Sequence, residues 1–301
     1  ITCYYMTWSF CFFGVYFFAV VSVMFLEHFR RCKILKLGFL PTFSWLIFRL
    51  TLALLIFAIY SKLTNDEFPH LRMAKISHYQ LRSKSRNFRK YLPNGVELDF
   101  WDVKCLISVV GFMFLNTQLL GISVPFHRNF EEVNLRFYVK KWENQQWKRG
   151  VVFIKEIVPK KALSIIANTF YKEHYETLPM KHLISENTEE IAVEYSWGKN
   201  LDNKIKLIAK NNLQKMLQNS DFEFITEHYF GYTKNGEKTF EYEVTHPKWK
   251  NYEVLSSFIQ IDFKENYGTD FEFLQNQKPH SILLAEGSEI EVKTKTKLNF
   301  N

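Results

Sequence analysis

The chain has 301 residues, 47% of them hydrophobic and 17% aromatic, which is ample material for a core and excludes a disordered tail. Its formal charge of +8 is unevenly placed: residues 1–90 hold 13 Lys/Arg against 3 acids, and the remaining 211 residues hold 26 against 28. The larger region therefore carries no basic excess for a phosphate backbone, and no nucleic-acid partner is expected.

The first element in chain order is "YYMTWSFCFFGVYFFAVVSVMFL", residues 4–26, which is 23 residues without a formal charge. That exceeds the ~20 residues needed to cross a bilayer core. A second apolar run at 39–60 contains Arg49, where a central charge costs about 2.5–3.5 kcal/mol. Arg30, Arg31, Lys33 and Lys36 lie between the two, so a helical hairpin would keep that loop on the cytoplasmic side. The flank from Lys62 to Lys90 is more basic still and asks for the same side. A cleavable signal peptide fits poorly, because no basic segment precedes the first run. Two readings of residues 1–70 follow: a membrane hairpin through residues 4–60, or an extension of translated non-coding sequence before a cytoplasmic protein. Cys3, Cys11 and Cys32 precede a single later thiol, Cys105, in the apolar "VKCLISVVGFMFL". No disulfide framework or zinc spacing can be built from these, and Cys105 reads as a small core residue in a reducing compartment.

From residue 91 the pattern is that of a strand-rich domain. "YLPNGVELDFW" gives a turn at Pro93–Gly95 and then alternation at Val96, Leu98 and Phe100. "CLISVVGFMFL" reads as a buried strand with a bulge at Gly111, and "NFEEVNLRFYVKKW" alternates cleanly. "NQQWKRG" reads as a hairpin connection and "VVFIKEIV" as the returning strand. "PKKALSIIANTFYKE" predicts a helix, with Leu163, Ile166, Ala167 and Phe170 on one face and Pro159 at its start. Later strands are predicted at "EIAVEYSWG", "NKIKLIAK", "KTFEYEVTH", "SSFIQIDF", "SILLAEG" and "EIEVKTKTKL". Two short helices interrupt them, "DFEFITEHYF" closed by Gly231 and "GTDFEFLQNQ" before Pro279. With no repeat and no low-complexity linker, residues 71–301 read as one α+β domain.

The strings "YLPNGVELD", "SVVGFMFLNTQLLGISVPFH", "NFEEVNLRFYVKK", "RGVVFIKEIVPKKAL", "ANTFYKEHYETLPMKH", "FITEHYFGYT", "YEVTHPKW" and "NQKPHSILLAEGSEIEV" together resemble the YqjF-like family of uncharacterised bacterial proteins, over roughly residues 71–296. That family is similar in fold to acetoacetate decarboxylase, so the resemblance implies a strand-rich barrel with a few short helices. The decarboxylases form a Schiff base through a lysine in a Pro-Lys-Lys motif, its amine activated by a neighbouring cation. Matched on the helix and the proline after it, the motif falls on Pro179-Met180-Lys181, with Met180 in the place of the nucleophile. The resemblance thus implies a degenerate relative that lacks the imine-forming lysine.

The string "NTFYKEHYETLPM", residues 168–180, then stands where the decarboxylases have their active-site loop. Four residues are candidates for a ligand site: Glu132, which matches an inward carboxylate of the decarboxylase pattern, Arg136 on the same strand face, His174 and Lys181. Glu131 and Glu132 point to opposite faces of a regular strand, so only one can face inward. "EHY" occurs at 173–175 and 227–229, yet no HxH, HxxxH or HExxH spacing accompanies it, and neither a metal site nor a cofactor is expected. Two function classes remain. One is a cavity protein for a small carboxylated or carbonyl ligand; the other is a non-catalytic interaction domain tethered to a membrane.

Overall fold

In the computed structural model, which describes residues 70–117 and 127–299, the run Lys104–Leu115 is apolar on both faces because the strand it forms is covered on both faces. In chain order the strands are β1 (His70–Ser83), β2 (Glu97–Leu98), β3 (Phe100–Trp101), β4 (Lys104–Leu115), β5 (Phe130–Glu143), β6 (Gln146–Val158), β7 (Tyr175–Thr177) and β8 (Met180–Glu186). There follow β9 (Glu190–Trp197), β10 (Asn203–Lys210), β11 (Phe230–Asn235), β12 (Lys238–Thr245), β13 (Asn251–Tyr252), β14 (Val254–Gln260), β15 (Ser281–Val292) and β16 (Thr296–Lys297). The main sheet runs β15-β1-β4-β5-β6-β11-β12, and β12 pairs again with β15 through Val244↔Val292 and Thr245↔Glu291. The path therefore returns on itself as a ring of seven strands.

Two joints of that ring are short. The β12–β15 joint has two residue pairs, and the parallel β6–β11 joint also has two, Phe230↔Gly150 and Gly231↔Val151. A second sheet, β14-β10-β9-β8, lies against the outside of β4 and β5. Val133, Leu135 and Phe137 from β5 meet Val193, Tyr195, Trp197 and Leu207 in the core between the sheets. There Gly111 is required by the Tyr195 ring, since a Cβ would sit 2.8 Å from its Cδ2.

Several expectations change against this architecture. The irregularity near Gly111 belongs to β1, which has an extra residue between Ala74 and Ser77, with Lys75 at φ +52°. Lys75 Nζ ties the bulge down through Glu286 at 2.6 Å and Tyr252 at 3.0 Å. The hairpin connection is tighter than "NQQWKRG": Gln146 already pairs with Glu143, and Asn144 and Gln145, both at positive φ, make the turn. The helix that opens at Lys161 is α-helical only to Ile166, widens to a π-turn over Ala167–Tyr171, and stops at Lys172 in the left-handed region, φ +57°. A helix does form at Asp221–Thr226, capped by the Ser220 side chain on the Glu223 N–H at 3.1 Å. Gly231 does not close it; it sits in β11 because the Tyr242 ring passes where its Cβ would be. "GTDFEFLQNQ" forms a 3-10 turn, Thr269–Leu274, after a short helix at Phe263–Tyr267. No helix among the described residues is long and apolar enough to cross a membrane, and the predicted hairpin at 4–60 lies outside the described residues.

Candidate functional site

Alternation along β5 puts Glu132, Asn134, Arg136 and Tyr138 on the ring interior, opposite the residues that face the second sheet. The helix Asp221–Thr226 fills one end of the interior, packing Phe224 and Ile225 against Leu106, Tyr138 and Val151. The remainder is a cavity of about 290 Å³, walled mainly by apolar side chains such as Phe112, Phe114, Phe130, Phe153, Trp249 and Ile290. That is at the small end of the roughly 300–1,000 Å³ usual for small-molecule sites, room for a metabolite-sized molecule.

A belt of polar groups crosses this apolar wall. Glu132 accepts from Asn134 Nδ2 on Oε1 at 3.0 Å and from the Tyr175 hydroxyl on Oε2 at 3.1 Å. Burial pushes its carboxyl up to about 7, and those two hydrogen bonds together with Arg136 oppose the shift. Glu156, on β6 opposite Asn134, is only 3% exposed. Burial, with Glu132 and Glu173 nearby, holds its carboxyl well above the ordinary range. Glu173 accepts from Thr233 Oγ1 at 2.6 Å and pairs with Lys295 at 2.7 Å. Below the belt, His228 Nε2 lies 3.1 Å from Asp99 Oδ2, which also pairs with Arg149 at 2.7 Å, and burial pushes the imidazole down to about 4.

Among the described residues, four buried polar atoms on residues that line the cavity have no hydrogen-bond partner: Thr117 Oγ1, Asn134 Oδ1, Arg136 Nε and Glu156 Oε2. Leaving such an atom without a protein or water partner costs about 1–3 kcal/mol, and these four share one void that has room for water or a small molecule.

Of the four candidates from sequence, Glu132 and Arg136 line the cavity. His174 and Lys181 are exposed and do not. His174 contributes only a backbone carbonyl, which accepts from the Glu156 N–H at 3.0 Å. Lys181 stands on the outward face of β8, whereas Met180, on the inward face, packs into the core between the sheets. The chain's literal Pro-Lys-Lys, Pro159–Lys160–Lys161, ends β6 and starts the helix, and neither of its lysines lines the cavity. Within "NTFYKEHYETLPM" the residues divide. Glu173 and Tyr175 enter the site, Lys172 bonds the Thr169 carbonyl, and Glu176 pairs with Lys155 at 2.7 Å. Glu131 points the other way from Glu132 and meets His182 at 2.5 Å. Cys105 is buried in β4, where burial pushes its thiol up to about 12. Among the described residues no group of three or more His, Cys, Asp or Glu is arranged to hold a metal ion.

Sequence reasoning missed Asn134, Glu156, Tyr242 and Lys295. Glu156 had a signal, since it is a lone acid in an apolar strand at an inward register, opposite Asn134 on the same face as Glu132.

The family model for uncharacterised conserved proteins named DUF2071 matches residues 70–289. The chain belongs to that family. Among solved structures the DUF2071 chain is similar to an acetoacetate decarboxylase-like enzyme from Sphingomonas wittichii RW1. The TM-score is 0.53 at 11% identity, over 77% of this chain and 94% of that one. It is also similar to the enduracididine biosynthesis enzyme MppR in complex with pyruvate, with a TM-score of 0.53 at 9% identity, over 77% of this chain and 91% of that one. These likenesses establish a strand-rich, acetoacetate decarboxylase-like fold for the family member, and at such identities they speak of the fold alone. No curated protein matches the DUF2071 chain.

Proposed function

We propose that this DUF2071 chain binds a small carbonyl-bearing carboxylate in the ring cavity, with the apolar body against the Phe-rich wall and the polar head on Arg136, Asn134 and Glu156. The observation that carries this reading is the set of unpartnered polar atoms on one cavity, which includes a guanidinium N–H donor, an amide oxygen and a carboxyl. A guanidinium is the natural partner of a carboxylate, and a protonated carboxyl is a donor for a carbonyl oxygen. The pyruvate bound by the fold neighbour MppR belongs to the same chemical class. Imine chemistry is poorly supplied, because Lys160, Lys161 and Lys181 stand off the cavity and Lys295 would have to give up Glu173 and Thr233.

Calorimetric titration with 2-oxo acids from pyruvate to 2-oxooctanoate tests this. Saturable binding that tightens with chain length and weakens at least about tenfold in Arg136→Leu is expected, the loss of a charge-assisted hydrogen bond. Absence of saturable binding across the series would remove the reading. The second reading, a non-catalytic domain held at a membrane through residues 4–60, rests on the uncharged run there. Intact mass of the protein from separated membrane and soluble fractions decides it: a membrane species carrying residues 4–60 supports a tether, and a soluble species starting near residue 73 sinks it.

A further inference from the structure

The cavity holds more acid than ligand binding requires. Of its three carboxyls, Glu173 is committed to Lys295 and Thr233. Glu132 receives one donor on each oxygen, from Asn134 and Tyr175. Glu156, on the neighbouring strand, keeps Oε2 without a partner although the residue is almost wholly buried. Both Glu132 and Glu156 line the void that also exposes Arg136.

Resting on the ligand reading above, we propose that Glu132 and Glu156 act as an acid–base pair that enolises a carbonyl acid held by Arg136. Glu132 takes a proton from the carbon beside the carbonyl, and Glu156 gives a proton to the carbonyl oxygen. The asymmetry of the two environments assigns the roles. Glu156 shares the Tyr175 hydroxyl with Glu132 but leaves Oε2 unpaired. A buried carboxylate with a bare oxygen is costly, whereas a neutral carboxyl there needs one acceptor for its O–H, which the ligand's carbonyl oxygen supplies. Desolvation and two neighbouring carboxyls keep Glu156 in that neutral, donating form. Glu132 has two donors to stabilise its anion and is pushed up only to about 7, close to the ideal for a base at neutral pH.

The step balances within the site. The C–H bond breaks, its electron pair becomes the C=C bond, and the carbonyl π pair becomes the new O–H bond with the proton from Glu156. Glu132 ends protonated and Glu156 ionised, and the reverse step restores both. Once Glu132 has exchanged its proton with water, the returning hydrogen comes from solvent. No oxidant, reductant or further reactant is consumed.

The experiment is to follow, by proton NMR in D₂O, loss of the C3 hydrogen signal of 2-oxohexanoate with the full chain. Acceleration by about 10²-fold or more over buffer is expected, the usual worth of a positioned acid or base. Glu132→Gln and Glu156→Gln should each return the rate to that of buffer while calorimetry still shows 2-oxohexanoate bound. Binding by the parent without acceleration would overturn the inference and leave the ligand reading standing, whereas absence of binding would remove both. The parent measurement depends on no variant, so misfolding of either Gln variant does not shelter the proposal. Two further results would overturn it: full acceleration in a folded Gln variant, or loss of parental exchange together with a reduced adduct after borohydride treatment, which is the signature of an imine.

Discussion

β5 serves two regions of opposite character. Its Val133, Leu135 and Phe137 enter the core between the sheets, which is filled by Tyr195, Trp197 and other apolar side chains. Its Glu132, Asn134 and Arg136 enter the ring interior, where volume is left open and polar atoms are left unpaired. Side chains one position apart on the same backbone thus meet environments that differ in both packing and hydrogen-bond closure. The first region fixes the architecture, and the second gives up part of that stability for the binding surface proposed above, the division expected when a site rests on a rigid scaffold.

The largest test of this contrast lies between the sheets. Trp197→Ala, which removes a fully buried ring and its 2.9 Å hydrogen bond to Asn266, should cost about 3–5 kcal/mol in urea unfolding. A cost under about 1 kcal/mol would mean that the core between the sheets does not fix the architecture.

The next test is the pH dependence set by Glu132. Its folded value is raised from 4.5 to about 7, so the native state binds the extra proton. The stability linked to that proton is complete below about 4.5 and is lost as pH rises through about 7, amounting to roughly 3 kcal/mol. Glu132→Gln should remove that carboxyl's one-proton share of the slope across the window and leave the share of Glu156, whose carboxyl is also raised. An unchanged slope would contradict the environment assigned to Glu132.

Gly111→Ala, pressed against the Tyr195 ring, should cost about 1–3 kcal/mol by overpacking. On the cavity side the sign should reverse. Glu156→Leu removes a buried carboxyl with one unpartnered oxygen and is expected to gain about 1–3 kcal/mol in melting experiments while weakening ligand binding. A loss of stability there would show that the carboxyl supports the fold rather than the ligand. The smallest effect belongs to Lys210→Ala, which breaks the exposed pair with Glu253 and should change stability by less than about 1 kcal/mol.

Regular alternation was the legible part of the fold. "NFEEVNLRFYVKKW" announced β5 and set Glu132 and Arg136 on one face, because period-2 patterning survives wherever a strand separates two environments. β1 went unread since its bulge at Lys75 breaks the period and its interior His78 and Gln80 resemble surface residues. Closure of the ring was equally invisible: it joins Val244 to Val292 across 48 residues through a joint of two pairs. The site was half legible for the same reason. Glu173 and Tyr175 were in plain view, but a left-handed residue at Lys172 and a three-residue strand decide which of their neighbours turn outward. No local pattern records that.

The two short joints that flank the β11–β12 hairpin bear on which ligands fit. Phe230, Gly231, Tyr242 and Val244 on that hairpin line the cavity; two residue pairs join it to β6, and on the other side two pairs join it to β15 and two more to β16. β4 and β5 share eight pairs. Fewer cross-strand bonds lower the free energy of local opening at the β6–β11 joint relative to the β4–β5 joint. For the ligand proposed above, the head group meets the firmer β5 side and the tail the more compliant hairpin side. Head-group changes in a ligand series should be punished sharply, and changes in tail length tolerated over a broad range.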